Sequence, residues 1–275
     1  MSAERMQGIN PEPGVAKPDP ILKLEGLRRS FGGLRAVDVD RLEIQRGTIT
    51  SLIGPNGAGK TTLFNLLTGF DRPQDGDWHL NGGPLVGIPS YRVARLGMVR
   101  TFQLTKSLAR LTVLENVLVA AKGQVGESFW GALLGRWHTI EEANEQRALE
   151  ALERFGLGHM AGEYAGSLSG GQRKLLEMAR ALMVRPELVM LDEPTAGVNP
   201  ALTQSLLVHI TGLRDLGMSV VFIEHDMDVV QEISDWIVVL GQGQVIAEGR
   251  PHEIAENPAV IDAYLGSNLS VGGPG

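Results

Sequence analysis

The chain has no cysteine, which excludes disulfides, thiol nucleophiles and thiolate metal sites together. It has no apolar run near the ~18 residues that cross a bilayer as a helix. Residues 1–20 are polar, carry prolines at 11, 13, 18 and 20, and lack the apolar core of a secretory signal. Positive charge is not in excess: 25 Lys and Arg stand against 32 Asp and Glu, a net charge of −7. A broad nucleic-acid-binding face is therefore not expected. His79, His138, His159, His209 and His252 show no metal-ligand spacing and read as structural or surface residues. What remains is a chain of 275 residues, 43% hydrophobic, sized for one large domain or two small ones. It is expected to be soluble and cytosolic, reaching a membrane only through a partner.

Glycine, by contrast, is plentiful at 35 residues, and one cluster of it is ordered. Gly54-Pro55-Asn56-Gly57-Ala58-Gly59-Lys60-Thr61-Thr62 fits G-x-x-x-x-G-K-[ST]. Residues 47–53 before it read as a buried strand, and residues 62–68 after it as a helix ending at Gly69. In that context the glycines let successive N–H groups turn inward around a phosphate, and the helix start adds partial positive charge. Lys60 reaches the outer phosphates of a nucleotide and the Thr61 hydroxyl is placed for Mg²⁺. A chance match in a glycine-rich chain is the plainer alternative, and the flanking strand and helix count against it.

Residues 1–20 read as a disordered tail, 21–266 as the folded part and 267–275 as a flexible end. The early part is strand-rich: 21–27, 42–44, and 76–80 entering a turn at Asn81-Gly82. A helical middle follows over about 104–184. It includes a helix over 112–121 and one over 139–155, with a Thr139–Glu142 capping box and Gly156 at its end. A further helix spans 172–184. Strands 187–191 and 218–223 then alternate with helices 202–216 and 226–234, and 236–240 and 244–247 form a hairpin. A last helix has Asn257 as cap and Gly266 after its end. The class is α/β.

Two further stretches bear on chemistry. Leu188–Leu191 is an apolar strand that delivers Asp192 and Glu193 to its C-terminal end, where ligands sit in open α/β sheets. Asp192 suits Mg²⁺ and Glu193 can accept a proton from water. A solvated acid pair is the bland alternative, and the phosphate loop upstream weighs against it. Ser169-Gly170-Gly171-Gln172 opens a helix; a plain Ser cap is one reading, a second anion site at a helix N-terminus the other.

Gly54–Thr62, Leu168–Gln172 and Leu188–Glu193, in this order, resemble the ATP-binding subunit of an ATP-binding-cassette (ABC) transporter over residues 22–265. The resemblance implies a P-loop NTPase core with an antiparallel β subdomain and an inserted α-helical subdomain. It implies ATP and Mg²⁺ as ligands, with Thr61, Gln103 and Asp192 at the metal. It also implies adenine stacking on Phe31, a water-contacting Gln103 and a γ-phosphate-contacting His225. Taken singly, these three could be a core ring, a strand-end amide and a helix cap. By resemblance the working unit is a head-to-tail dimer, homomeric or paired with a related subunit. Each ATP lies between one subunit's Gly54–Thr62 and the other's Ser169–Gln172. Integral membrane permease subunits, and indirectly a solute-binding protein, are the implied partners, which puts the chain at the cytoplasmic face of the membrane.

Asn199 stands where many relatives have Asp. Ala196–Pro200, Arg100–Gln103, Thr112–Val117, Ile223–Met227 and Asn257–Gly266 resemble the subclass importing branched-chain amino acids. Lipopolysaccharide-export and urea-import ATPases share several of these features, and a soluble ABC ATPase acting on ribosomes or DNA is a further alternative. Trp130, Leu133, Leu134 and Trp137 share one helical face, suited to packing on the chain's own helices or on a permease.

Overall fold

The structure is a computed structural model that describes residues 6–101, 108–121 and 137–269. Its strands are β1 (Pro20–Phe31), β2 (Leu34–Gln45), β3 (Ile49–Ile53), β4 (Asp75–Leu80), β5 (Gly83–Pro84), β6 (Met98–Arg100), β7 (Leu188–Asp192), β8 (Ser219–Ile223), β9 (Trp236–Gly241) and β10 (Gln244–Gly249). Its helices are α1 (Lys60–Leu67), α2 (Ser90–Arg95), α3 (Val113–Leu118), α4 (Trp137–Arg154), α5 (Gly170–Leu182), α6 (Pro200–Asp215), α7 (Met227–Ile233), α8 (Pro251–Ala255) and α9 (Pro258–Leu269). The chain divides into two compact units. The first comprises Met1–Val99, Glu187–Thr195 and Ile210–Gly275; the second comprises Arg100–Pro186 and Ala196–His209.

In the first unit a four-stranded sheet runs β2-β1-β4-β5 and a six-stranded sheet runs β10-β9-β3-β8-β7-β6. β1 and β2 form one long antiparallel hairpin, paired from Pro20↔Gln45 to Phe31↔Leu34. Both exceed the lengths read from the sequence. Charged residues such as Arg28, Arg29, Arg35 and Asp38 interrupt the apolar alternation, but each is paired and none ends the ladder: Arg28 reaches Asp38 across it, Arg35 reaches Asp38 along β2, and Arg29 reaches Asp71. Asn81 (φ 51°) and Gly82 (φ 75°) take the left-handed conformations of a tight hairpin turn.

β3 and β8 are buried at every residue, as parallel strands covered on both faces must be. β8 lies between β3 and β7, with Leu52 and Asp192 both registered opposite Ile223. The three segments that leave these strands, beginning at Gly54, Glu193 and Glu224, therefore depart from one edge of the sheet. α1 starts at Lys60, two residues earlier than expected, because the turn at Gly59 (φ 98°) feeds directly into it. α2 was not anticipated.

The expected disordered tail is corrected for residues 6–19. Met6 and Ile9 are buried, and Lys17 is sealed with its ammonium 2.7 Å from Glu248 Oε2. Trp236 Nε1 donates to the same oxygen at 2.9 Å, and Lys17 N–H donates to Glu43 Oε2 at 2.7 Å. Burial lowers the Lys17 pKa, an effect opposed chiefly by Glu248. The polar, proline-bearing composition hid three anchoring side chains spaced through it. At the other end α9 runs through Gly266 to Leu269, so that glycine does not close the helix and the flexible end does not begin at 267. One glycine costs about 1 kcal/mol in a helix, too little to stop one already propagating.

In the second unit α3 begins with a reciprocal box: Thr112 Oγ1 accepts from Glu115 N–H and Glu115 Oε2 accepts from Thr112 N–H. α4 spans Trp137–Arg154, so Thr139 lies inside the helix and not at the N-cap position expected of it. Residues 130–136 fall outside the described part. Gly156 (φ 67°) follows the helix end as expected.

Lys17→Ala should lower the unfolding free energy in urea by about 3–5 kcal/mol, because Glu248 is left buried without its counter-charge. Lys17→Met should cost nearly as much despite its retained volume. His209, half-buried, packs 5.1 Å from the Phe155 ring, and burial holds its pKa below the ordinary 6.5. The unfolded chain then takes up this proton first, so stability should decline as pH falls below about 6.5, and His209→Gln should flatten that part of the pH–stability curve.

Candidate functional site

The phosphate-binding motif is built by two close backbone approaches. Gly54 (φ 148°) follows β3, and a Cβ there would lie 2.1 Å from the Leu240 carbonyl oxygen of β9. Gly59 (φ 98°) ends the loop, and its Cβ would lie 2.2 Å from the Ala36 carbonyl oxygen of β2. Side chains are excluded at both positions, and the backbone passes through. Ala58 N–H donates to Pro55 O at 3.1 Å, and Ala58 O accepts from Gly243 N–H at 3.0 Å. Lys60 Nζ donates to Gly54 O at 2.6 Å and Pro55 O at 3.0 Å, which folds the ammonium over the loop. Burial lowers its pKa, opposed by Glu193 and Asp192.

Asn56 to Thr62 form one wall of a cleft of about 560 Å³. Leu34, Arg35, Ala36, Gln242 and Glu193 complete it. The size suits a nucleotide, and the Cβ-free cradle at the start of α1 suits its phosphates. The oxygen-only donors Thr61 and Asp192 fit a hard cation such as Mg²⁺, which takes one or two protein oxygens and completes its shell with phosphates and water.

Asp192 ends β7. Glu193 follows in a left-handed backbone conformation (φ 45°), rare for a non-glycine residue and costing of order 1–3 kcal/mol. Its N–H donates to Ile223 O at 3.1 Å, and its side chain is exposed at the cleft. His225 follows β8 with its ring 67% exposed; its N–H donates to Glu224 Oε2 at 3.1 Å. Gln103 lies outside the described residues.

Phe31 is not among the residues lining the cleft. It sits at the tip of the β1–β2 hairpin, with the Arg29 guanidinium 4.5 Å from its ring centroid, while its cross-strand partner Leu34 faces the cleft.

In the second unit, Ser169 caps α5. Its Oγ accepts from Gln172 N–H at 3.3 Å, and Gln172 Oε1 accepts from Ser169 N–H at 2.9 Å. Both side chains are thus turned to their own helix start, which leaves Gly170 open and Gly171 packed on Leu202. Gly170, Arg173, Lys174 and Val198 are among the walls of a second cleft of about 240 Å³. Asn199 Oδ1 accepts from Leu202 N–H at 2.9 Å. That cap explains why an amide serves at a position where the resemblance leads one to expect a carboxylate.

Two residues were not singled out in the sequence. Glu224 is fully buried beside the exposed His225; only its place at the end of an apolar strand hinted at it. Tyr264 of α9 is the other. Burial raises its phenol pKa, opposed by the Gly54 backbone beside it, so the last helix touches the first glycine of the loop.

Residues 37–196 match the family described as ABC transporter, and residues 244–268 match one described as branched-chain amino acid ATP-binding cassette transporter. The chain is 45% identical over 251 residues to the high-affinity branched-chain amino acid transport ATP-binding protein LivG of Escherichia coli K12, covering 90% of this chain and 98% of that one. Its identity to BraF of Pseudomonas aeruginosa, with the same description, is 44% over 250 residues, at 90% and 98% coverage. An ATP-binding cassette crystallised in its ADP conformation superposes with a TM-score of 0.79 at 36% identity, over 90% of this chain and 99% of that one. A dimeric cassette in a post-hydrolysis state with ADP and phosphate gives 0.68 at 26% identity, over 84% and 98%. The chain therefore belongs to the ATP-binding-cassette family of transporter ATPases.

Proposed function

We propose that this chain is the ATP-hydrolysing subunit of an importer for branched-chain amino acids, acting as a two-fold dimer at the cytoplasmic face of a membrane. The observation that carries the ATPase reading is the cleft in which the phosphate loop, Lys60 and Glu193 meet. The solute class is supported by what the relatives are described as transporting and by the match over residues 244–268. That C-terminal match favours amino-acid import over lipopolysaccharide export or urea import. No helix among the described residues is long and apolar enough to cross a membrane, so in this reading integral permease subunits supply the path and a solute-binding protein the specificity.

The substrate is ATP, with its phosphates in the backbone cradle of 54–59 and its charge offset by Lys60. Phe31 is the candidate for the adenine. Mg²⁺, held through Thr61, Asp192 and Gln103, supplies further neutralisation of phosphate charge. Glu193 takes the proton of the attacking water, while His225 and Gln103 hold the γ-phosphate. The Ser169–Gln172 helix start of a second copy, or of a related subunit, closes over the same ATP. Loss of the γ-phosphate removes contacts to both halves and lets them part.

Glu193→Gln should lower turnover about 100-fold or more, read as phosphate release, while ATP binding and dimer formation persist. Normal turnover in that variant would overturn the reading. Gly59→Ala should lose nucleotide binding in a fluorescent-nucleotide titration, since its Cβ has no room against the Ala36 carbonyl. Copurification with ribosomes or DNA in place of membrane subunits would point to the soluble alternative.

A further inference from the structure

Resting on the ATPase reading above, we infer that Glu224 is a positioning residue that ties the water-activating segment Glu193–Thr195 to His225 through one buried carboxylate. Glu224 is fully buried, and its two oxygens are divided. Oε1 accepts from the Thr195 N–H at 3.0 Å and from the Thr195 hydroxyl. Oε2 accepts from the His225 N–H at 3.1 Å and lies 3.6 Å from His225 Nδ1. A carboxylate sealed from water is tolerated only where donors satisfy it, and these donors come from two different segments. They are the two segments that carry the proton acceptor and the γ-phosphate contact.

The geometry between them is tight. Glu193 N–H is bound to Ile223 O, and Thr195 N–H to the Glu224 side chain, so the first and last residues of the bend are pinned to consecutive residues of one strand end. Between them Pro194 is buried and Glu193 is held at φ 45°. A left-handed glutamate persists only where its surroundings over-determine it. The Glu224 carboxylate is part of that determination. The ring of His225 is 67% exposed, and Oε2 of Glu224 lies 3.6 Å from its Nδ1, so a buried carboxylate is held beside a largely solvent-exposed ring.

Glutamine at this position keeps one acceptor oxygen and loses the other, so it can hold Thr195 or His225 but not both. Glu224→Gln should lower kcat about 10- to 100-fold with KM for ATP changed less than about 3-fold, because a sub-ångström displacement of a reacting group costs rate and not binding. Thr195→Val, which removes the hydroxyl donor alone, should give a smaller loss, and combining it with Glu224→Gln should fall short of the product of the two. The ring ¹⁵N shifts of His225 should move in Glu224→Gln and stay in place in Thr195→Val. A fall in urea midpoint with kcat and ring shifts intact in both variants would make Glu224 purely structural and overturn the inference. Glu193→Gln, run alongside, separates the cases: normal turnover there sinks the ATPase reading, whereas a dead Glu193→Gln with a fully active Glu224→Gln sinks only the role of Glu224.

Discussion

Two carbonyl oxygens, those of Ala36 and Leu240, press on the phosphate loop from either side and leave no room for a Cβ at Gly59 or Gly54. The rest of the first unit is arranged to make that squeeze stable. Leu240 lies in β9, the direct neighbour of β3, and Ala36 lies in β2, near the closed end of the long hairpin. The two are laced together where Asp38 N–H donates to Gly243 O and Gly243 N–H donates to Ala58 O. A sheet of one kind thus supplies one jaw and a sheet of the other kind the second. The loop's N–H groups gain a fixed direction because their own carbonyl side is occupied.

Charge follows the same architecture. Parallel strands carry their last residues to one edge, and there β3 contributes a cationic loop while β7 contributes two acids. Lys60 feels both, with burial pulling its pKa down and the carboxylates holding it up. A triphosphate entering such a place meets an ammonium that is poorly hydrated and N–H groups that cannot reorient, which makes each contact stronger than it would be in water. The acids stand two strand spacings from β3, on the far side of β8, so the cationic loop and the carboxylates are kept on separate strands.

Much of this was legible in the residues. Gly54–Thr62 announces its strand, turn and helix because each position there obeys a local steric or hydrogen-bonding rule. The apolar runs 187–191 and 218–223 announce buried parallel strands for the same reason. Legibility failed where distant partners decide. The reach of β1 and β2 depends on arginine–aspartate pairs across the ladder, and Thr139 looks like a cap only until the helix gains two residues ahead of it. At the hairpin tip the Phe31 ring lies beside Arg29 while its cross-strand partner Leu34 lines the cleft, a detail of side-chain direction that strand alternation alone does not give. Glu224 was only faintly readable, because its place at the end of an apolar strand does not by itself separate a sealed acid from a solvated one.

The Lys17–Glu248 pair has a temporal side as well. A ribosome releases Lys17 early and Glu248 only 231 residues later. Until then the nascent chain holds a strap with no anchor, and Trp236, whose indole N–H shares that carboxylate, is equally late. The hairpin of β1 and β2 can form as it emerges, but the unit that encloses the phosphate loop can close only once β9 and Glu248 have followed. Folding of this unit therefore depends on a contact across 231 residues, and is not built up progressively from its first strands.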